Sequence, residues 1–137
     1  MNQEELLQAA IEARDLSYSP YSRFAVGAAL FTKDGRVYQG ANVENSSYGL
    51  SMCAERNAIY HALMEGCAGD DFLALAIVAD TDGPVSPCGA CRQVIAEFFP
   101  KASQIILGNL CGEMKVMSVG DLLPYAFEGG DMQCKSD

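Results

Sequence analysis

Cys53, Cys88 and Cys91 sit in two short stretches, Cys53-Ala54-Glu55-Arg56 and Ser86-Pro87-Cys88-Gly89-Ala90-Cys91-Arg92. Three thiols, one carboxylate and two arginines at these positions make most of a catalytic zinc site. Three protein ligands leave tetrahedral zinc one open position, where a water can sit. Such a water ionises near neutral pH instead of near ~15.7 and becomes a usable nucleophile. Glu55 stands beside a ligand without being needed as one, which suits a base that handles the proton.

The spacing makes demands on the fold. Cys88 and Cys91 are three apart and share a face at a helix start, and Cys53 opens another helix. In first turns the helix dipole and free N–H groups favour thiolate over thiol, which metal binding needs. Glu55 is two residues from Cys53, a spacing that does not share a helix face. Both can meet one metal only if it lies off the N-terminal end of the helix. The two positive charges of zinc against three thiolates leave the site net negative. Arg56, three after Cys53, and Arg92, four after Cys88, are spaced to bring guanidinium groups beside ligand sulfurs and withdraw charge.

A structural site would instead be closed by a fourth ligand, for which Cys67, Cys111 and His61 are the candidates. His61 is the only histidine, and an ordinary helix position accounts for it. Cys67, Cys111 and Cys134 read as small buried or tail thiols. A disulfide framework is disfavoured in a reducing compartment, where a Cys-x-x-Cys pair with a third embedded Cys points to metal.

The 137 residues suffice for one domain with one core. A net charge of −9, with nine Lys and Arg against eighteen acids, disfavours a nucleic-acid substrate. Apolar runs such as Phe72 to Ala79 are too short to span a bilayer, so no membrane association is expected. The acidic start Met1-Asn2-Gln3-Glu4-Glu5 lacks the features of a signal peptide, and a cytoplasmic protein is expected.

The elements follow from periodicity. Residues 2–15 read as an amphipathic helix through Leu6, Leu7, Ala10 and Ile11, ended by Ser19-Pro20. Phe24 to Thr32 and Arg36 to Val43 read as strands joined by a tight turn at Asp34-Gly35. Gly27 and Gly40 inside them suggest close packing or a bulge. Glu44 to Leu50 is loop. A helix is expected from about Met52 to Glu65, with Ser51 as N-cap, Gly66 past its end, and Ala54, Ala58 and Ala62 as a small-residue row. Phe72 to Asp80 reads as a buried strand. Ser86 caps the next helix with Pro87 at its first position, and that helix stops before Pro100. Gln104 to Leu107 and Glu113 to Val119 read as strands, then a helical turn near Asp121 to Leu123. A mobile tail is expected from about 129. The alternation predicts one α/β domain over 1–137, with helices layered on a mixed sheet.

The stretches Phe24-Ala25-Val26-Gly27-Ala28-Ala29, Gly40-Ala41-Asn42-Val43-Glu44-Asn45, Cys53-Ala54-Glu55-Arg56 and Ser86-Pro87-Cys88-Gly89-Ala90-Cys91-Arg92-Gln93 resemble, in order, the cytidine deaminase family. The likeness is to its short, all-cysteine homotetrameric type. The resemblance implies a three-layer α/β/α sandwich around a sheet of about five strands, one zinc per subunit on Cys53, Cys88 and Cys91, and Glu55 as proton shuttle. It implies hydrolysis of cytidine and 2′-deoxycytidine to uridine and 2′-deoxyuridine plus ammonia, with a zinc-bound hydroxide attacking C4. Asn42 and Glu44 would bind ribose hydroxyls, Phe24 would pack near the nucleoside, and the Ala54 backbone would contact the base. Phe127 would reach a neighbouring subunit's site and pack on the pyrimidine, and Tyr48 would reach across to the ribose. Ser51-Met52 and the tail with Cys134 depart from the family pattern. Rival readings are a blasticidin-S-type deaminase, against which Asn42-Val43-Glu44 argues, a nucleic-acid editing deaminase, and a non-catalytic structural zinc module, against which Glu55 argues.

Overall fold

The computed structural model describes residues 1–132. Five strands form one sheet: β1 (Val26–Thr32), β2 (Val37–Ala41), β3 (Phe72–Ala79), β4 (Gln104–Asn109) and β5 (Met114–Ser118). Their order is β2-β1-β3-β4-β5. Only β3 and β4 run parallel; every other neighbouring pair is antiparallel. The helices are α1 (Gln3–Ala13), α2 (Ala54–Met64), α3 (Gly89–Phe98) and the short α4 (Val119–Leu122).

Side-chain alternation along the central strands sorts the helices into layers. Ala28 and Leu30 of β1, Leu75, Ile77 and Ala79 of β3, and Ile105 and Leu107 of β4 face one core with Ala58, Ile59 and Ala62 of α2 and Ile95 of α3. Ala29, Ala76, Val78 and Ile106 face the other way, onto Leu6, Leu7 and Ala10 of α1. Both faces are covered, hence the continuous apolar runs in the sequence. The result is the expected three-layer α/β/α sandwich.

The glycines in β1 and β2 are there for close approach. A Cβ on Gly27 would lie 2.0 Å from the Ala10 carbonyl oxygen of α1. A Cβ on Gly40 would lie 2.3 Å from the Ala58 nitrogen and 2.5 Å from the Ala54 oxygen of α2. The Ala54, Ala58, Ala62 row is the matching surface on α2, with all three residues fully buried.

Element ends differ from the expectation in instructive ways. The α1 cap is Asn2, whose side chain accepts from Glu5 N–H while Glu5 returns to Asn2 N–H, and the helix stops at Ala13 in a 3-10 turn. β1 begins at Val26 because the backbone before it is bound by side chains. Asn42 Nδ2 donates to Phe24 O, Arg14 Nε donates to Ala25 O, and Val26 N–H donates to Asn42 Oδ1. The Asp34-Gly35 connection is wider than a two-residue turn. Gly35 alone takes a left-handed conformation (φ 85°) and its N–H donates to Thr32 O, a type I turn closed by glycine. Residues Gly129–Met132 form a 3-10 turn. The rest of the expected tail, including Cys134, lies outside the described residues.

The two helix caps nearest the cysteines need correction. Ser51 does not cap α2; its hydroxyl accepts from Asn45 N–H, and Met52 is held extended by paired bonds with Val43. Cys53 is the N-cap. Ser86 does not cap α3, and Pro87 precedes the cap instead of following it. Cys88 is the N-cap, with its Sγ accepting from Cys91 N–H at 3.5 Å.

The absence of any gap at Gly40 yields a test. Gly40→Ala is expected to destabilise the fold by about 3 kcal/mol, because both clashing partners are helix backbone. Gly108→Ala, whose new methyl meets only the Leu7 side chain at 2.7 Å, is expected to cost about 1 kcal/mol. Urea unfolding of the two variants beside the native protein measures the difference, and equal losses would refute the packing account.

Candidate metal centre and substrate cavity

The sheet's parallel pair and the α2 contact with β2 bring two helix N-termini to one place. Cys53 opens α2 and Cys88 opens α3, and each N-cap carbonyl accepts the first helical bond, from Asn57 and Arg92 respectively. Cys91, in the first turn of α3, is buried. The three Sγ atoms all lie within 4.8 Å of one another. That separation suits three corners of a tetrahedron around zinc, with Zn–S bonds of about 2.3 Å.

The surroundings also fit the metal. Arg56 Nη2 donates to Cys53 Sγ at 3.3 Å, placing positive charge on a ligand. The Cys53 thiol is held down to about 5, first by a hydrogen bond from Cys91 and then by Arg56, against the opposing cost of burial. Cys91 is pushed up, first by its bond to Cys53 and then by burial, because Cys53 takes the charge before it. Among the described residues no fourth metal-ligating group joins the cluster. His61 Nδ1 contacts Gln39 O, Cys67 lies against Tyr38 Oη, and Cys111 is exposed beyond β4. Three thiols and a free fourth position therefore fit a catalytic zinc better than a structural one.

Arg92 plays a different part from the one expected of it. None of its hydrogen bonds goes to a ligand sulfur. Nε donates to Pro87 O at 2.9 Å, Nη1 to Leu122 O at 2.7 Å and Nη2 to Ser86 Oγ at 2.6 Å. The guanidinium ties the loop before Cys88 to the end of α4, so it fixes the ligand's backbone and leaves its sulfur alone.

Beside the thiols lies a cavity of about 450 Å³, within the range of small-molecule sites. Cys53, Ala54, Glu55, Arg56 and Cys88 line it together with Phe24, Asn42, Glu44 and Tyr48. Glu55 is only 4% exposed, and burial pushes its carboxyl up, with the Cys53 charge adding to the effect. Glu44 is also buried, yet its carboxyl is held below the usual range, chiefly by the Ser22 hydroxyl and by the Ser22 and Tyr21 N–H groups. Asn42 is anchored by three bonds: Oδ1 accepts from Val26 N–H and Ser17 Oγ, and Nδ2 donates to Phe24 O.

Two residues expected to act across a subunit boundary lie apart. Tyr48, 61% exposed, lines this chain's own cavity. Phe127, 57% exposed, lines a separate hollow beside α4, where its carbonyl accepts from Gln93 Nε2. The sequence reading missed Ser17, Ser22 and Asn109. Ser22 fell in the stretch Tyr18 to Ser22, read only as a helix stop, and Ser17 lies just before it, outside any element read from the sequence. Asn109 is fully buried at the end of β4 and donates to the Thr81 and Asp82 carbonyls, bracing the loop that leads to the Cys88 stretch. A buried asparagine at a strand end has no signature in one sequence.

Residues 1–108 match the family model for the cytidine and deoxycytidylate deaminase zinc-binding region. The chain is 54% identical over 132 residues to a cytidine deaminase of Halalkalibacterium halodurans, covering 96% of this chain and 98% of that protein. It is 42% identical over 123 residues to a cytidine deaminase of Mycobacterium tuberculosis, covering 90% and 87%. Its fold superposes on the crystal structure of cytidine deaminase from Burkholderia pseudomallei with a TM-score of 0.91 at 51% identity, covering 93% of this chain and all of that one. A three-thiol cluster beside a buried carboxylate, on this fold and with these relatives, places the chain in the cytidine and deoxycytidylate deaminase family.

Proposed function

We propose that the chain is a single-domain, zinc-dependent cytidine deaminase that converts cytidine and 2′-deoxycytidine to uridine and 2′-deoxyuridine plus ammonia. The observation that carries this reading is the cavity itself, whose lining brings Cys53 and Cys88 of the thiol cluster and buried Glu55 together with Asn42 and Glu44. Cys53, Cys88 and Cys91 hold one zinc per subunit. When bound, zinc supplies Lewis acidity and brings the ionisation of water close to neutral pH.

The chain's residues do the rest. Glu55 takes the proton from the attacking water and delivers it to N3 of the pyrimidine, then relays the proton of the new C4 hydroxyl to the amine, which departs as ammonia while C4 becomes the carbonyl. Burial suits it to this exchange, because a carboxyl raised toward neutrality gives and takes protons more evenly. The Ala54 backbone meets the base and Phe24 packs beside it. Asn42 and Glu44 orient the sugar, so the reacting carbon is positioned before the chemistry begins. Asn42 has one amide hydrogen left and Glu44 one acceptor site left after their bonds within the chain. A hydroxyl both donates and accepts, so the pair fits a sugar 3′-hydroxyl common to both substrates.

The assembly belongs to the same proposal. Exposed Tyr18, Tyr21, Tyr48, Leu50, Tyr125 and Phe127 support a homotetramer in which Phe127 and Tyr48 serve a neighbouring site. No helix among the described residues is long and apolar enough to cross a membrane. A cytoplasmic location is part of the same proposal, supported by thiols left free for metal, as a reducing compartment allows.

Zinc-loaded protein is expected to bleach the ultraviolet absorbance of cytidine, while Glu55→Gln retains zinc and loses about 10²- to 10⁴-fold in kcat. Full activity in that variant would overturn the proton-shuttle role. Absence of cytidine turnover in zinc-loaded native protein would point first to blasticidin S as substrate and then to the structural-zinc reading. Arg56→Gln is expected to lower zinc affinity about 10- to 100-fold in competition with a chelator. An unchanged affinity would show that the bond to Cys53 does not compensate ligand charge.

A further inference from the structure

Glu44 is committed to the chain on most of its acceptor capacity. Tyr21 and Ser22 N–H groups both donate to Oε1 at 3.0 Å, and the Ser22 hydroxyl donates to Oε2. A carboxylate offers about four lone-pair sites, so one remains, on Oε2. The direction of the Ser22 proton is fixed from the other side. Phe24 N–H donates to Ser22 Oγ at 3.0 Å, and an ionised carboxylate has no proton to give. The hydroxyl therefore accepts from Phe24 and donates to Glu44.

The backbone is shaped for this relay. Arg23, between the two residues, has φ 57°, in the left-handed region that non-glycine residues seldom occupy. That turn folds the chain so that Ser22 Oγ sits under the Phe24 N–H. Residues in sparsely populated conformations cluster at ligand sites, where the surrounding structure holds them. Ser22, Phe24, Asn42 and Glu44 all line the same cavity.

We propose that Ser22 is a positioning residue that aims Glu44 Oε2 at a single sugar hydroxyl, and so determines specificity for nucleosides that carry a 3′-hydroxyl. The inference rests on the deaminase reading above. Without the serine hydroxyl, Oε2 has two open acceptor sites and no bond to the chain that fixes its direction. Water then competes with the sugar for it, and the preference for a 3′-hydroxyl fades while the three thiols, to which Ser22 makes no hydrogen bond, keep their arrangement.

The test is a ratio, kcat/KM for cytidine over kcat/KM for 3′-deoxycytidine, measured on the zinc-loaded native protein, Ser22→Ala and Ser22→Thr. The ratio is expected to be large in the native protein and to fall about tenfold in Ser22→Ala, through loss of one hydrogen bond to a charged group. Ser22→Thr keeps the hydroxyl at an exposed position and is expected to restore it. A Ser22→Ala variant that loses activity on both nucleosides alike, with the native ratio, overturns the positioning role and makes the serine merely structural. A native ratio with unchanged rates overturns it too. If the native protein turns over neither nucleoside, the deaminase reading itself falls, and this inference with it.

Discussion

The contact between α2 and β2 at Gly40 governs the site. With no side chain at that position, the helix backbone rests directly on the strand, within a distance that a methyl group would violate. Close-packed backbone cannot slide, so the N-terminus of α2 has one position over the sheet. Cys53, Ala54, Glu55 and Arg56 are carried there together. The second helix start, at Cys88, is set by the parallel β3–β4 pair that α3 connects. The metal cluster is where these two constraints meet.

Two buried carboxylates then acquire opposite characters from their surroundings. Glu55 sits among apolar residues and thiols, and burial raises it. Glu44 is equally hidden but receives three donors from one turn of chain, and stays ionised. One is suited to moving protons and the other to accepting a hydrogen bond from a hydroxyl. Both line the same cavity, and their characters differ because donors reach Glu44 while Glu55 is buried beside the Cys53 charge. A similar division separates the arginines. Arg56 acts on a sulfur, whereas Arg92 acts on the backbone that presents one.

Much of this was legible in the chain. The Cys-x-x-Cys pair, the Cys-Ala-Glu-Arg stretch and the order of strands and helices are local patterns, and local patterns survive in a single sequence. Gly40 and the alanine row were readable as close packing for the same reason, since small residues at fixed spacing have few other uses. The helix starts were misread by two residues at both ligand stretches. Serine is the stronger cap by general preference, yet cysteine took the position in each case. At Cys88 the thiol itself accepts the first-turn N–H.

What the sequence by itself determined was the three thiols that cluster, the carboxylate that accompanies them and the α/β class, since each follows from residue type and near-neighbour spacing. Tertiary structure alone decided which partners the polar groups would find. Arg92 turned to Pro87, Ser86 and Leu122, thirty residues away in the last case. Ser22 reached Glu44 across twenty-two residues, and Asn42 was claimed by the start of β1. A hydrogen bond depends on distance and angle in space. No periodicity along the chain records where two distant segments will meet.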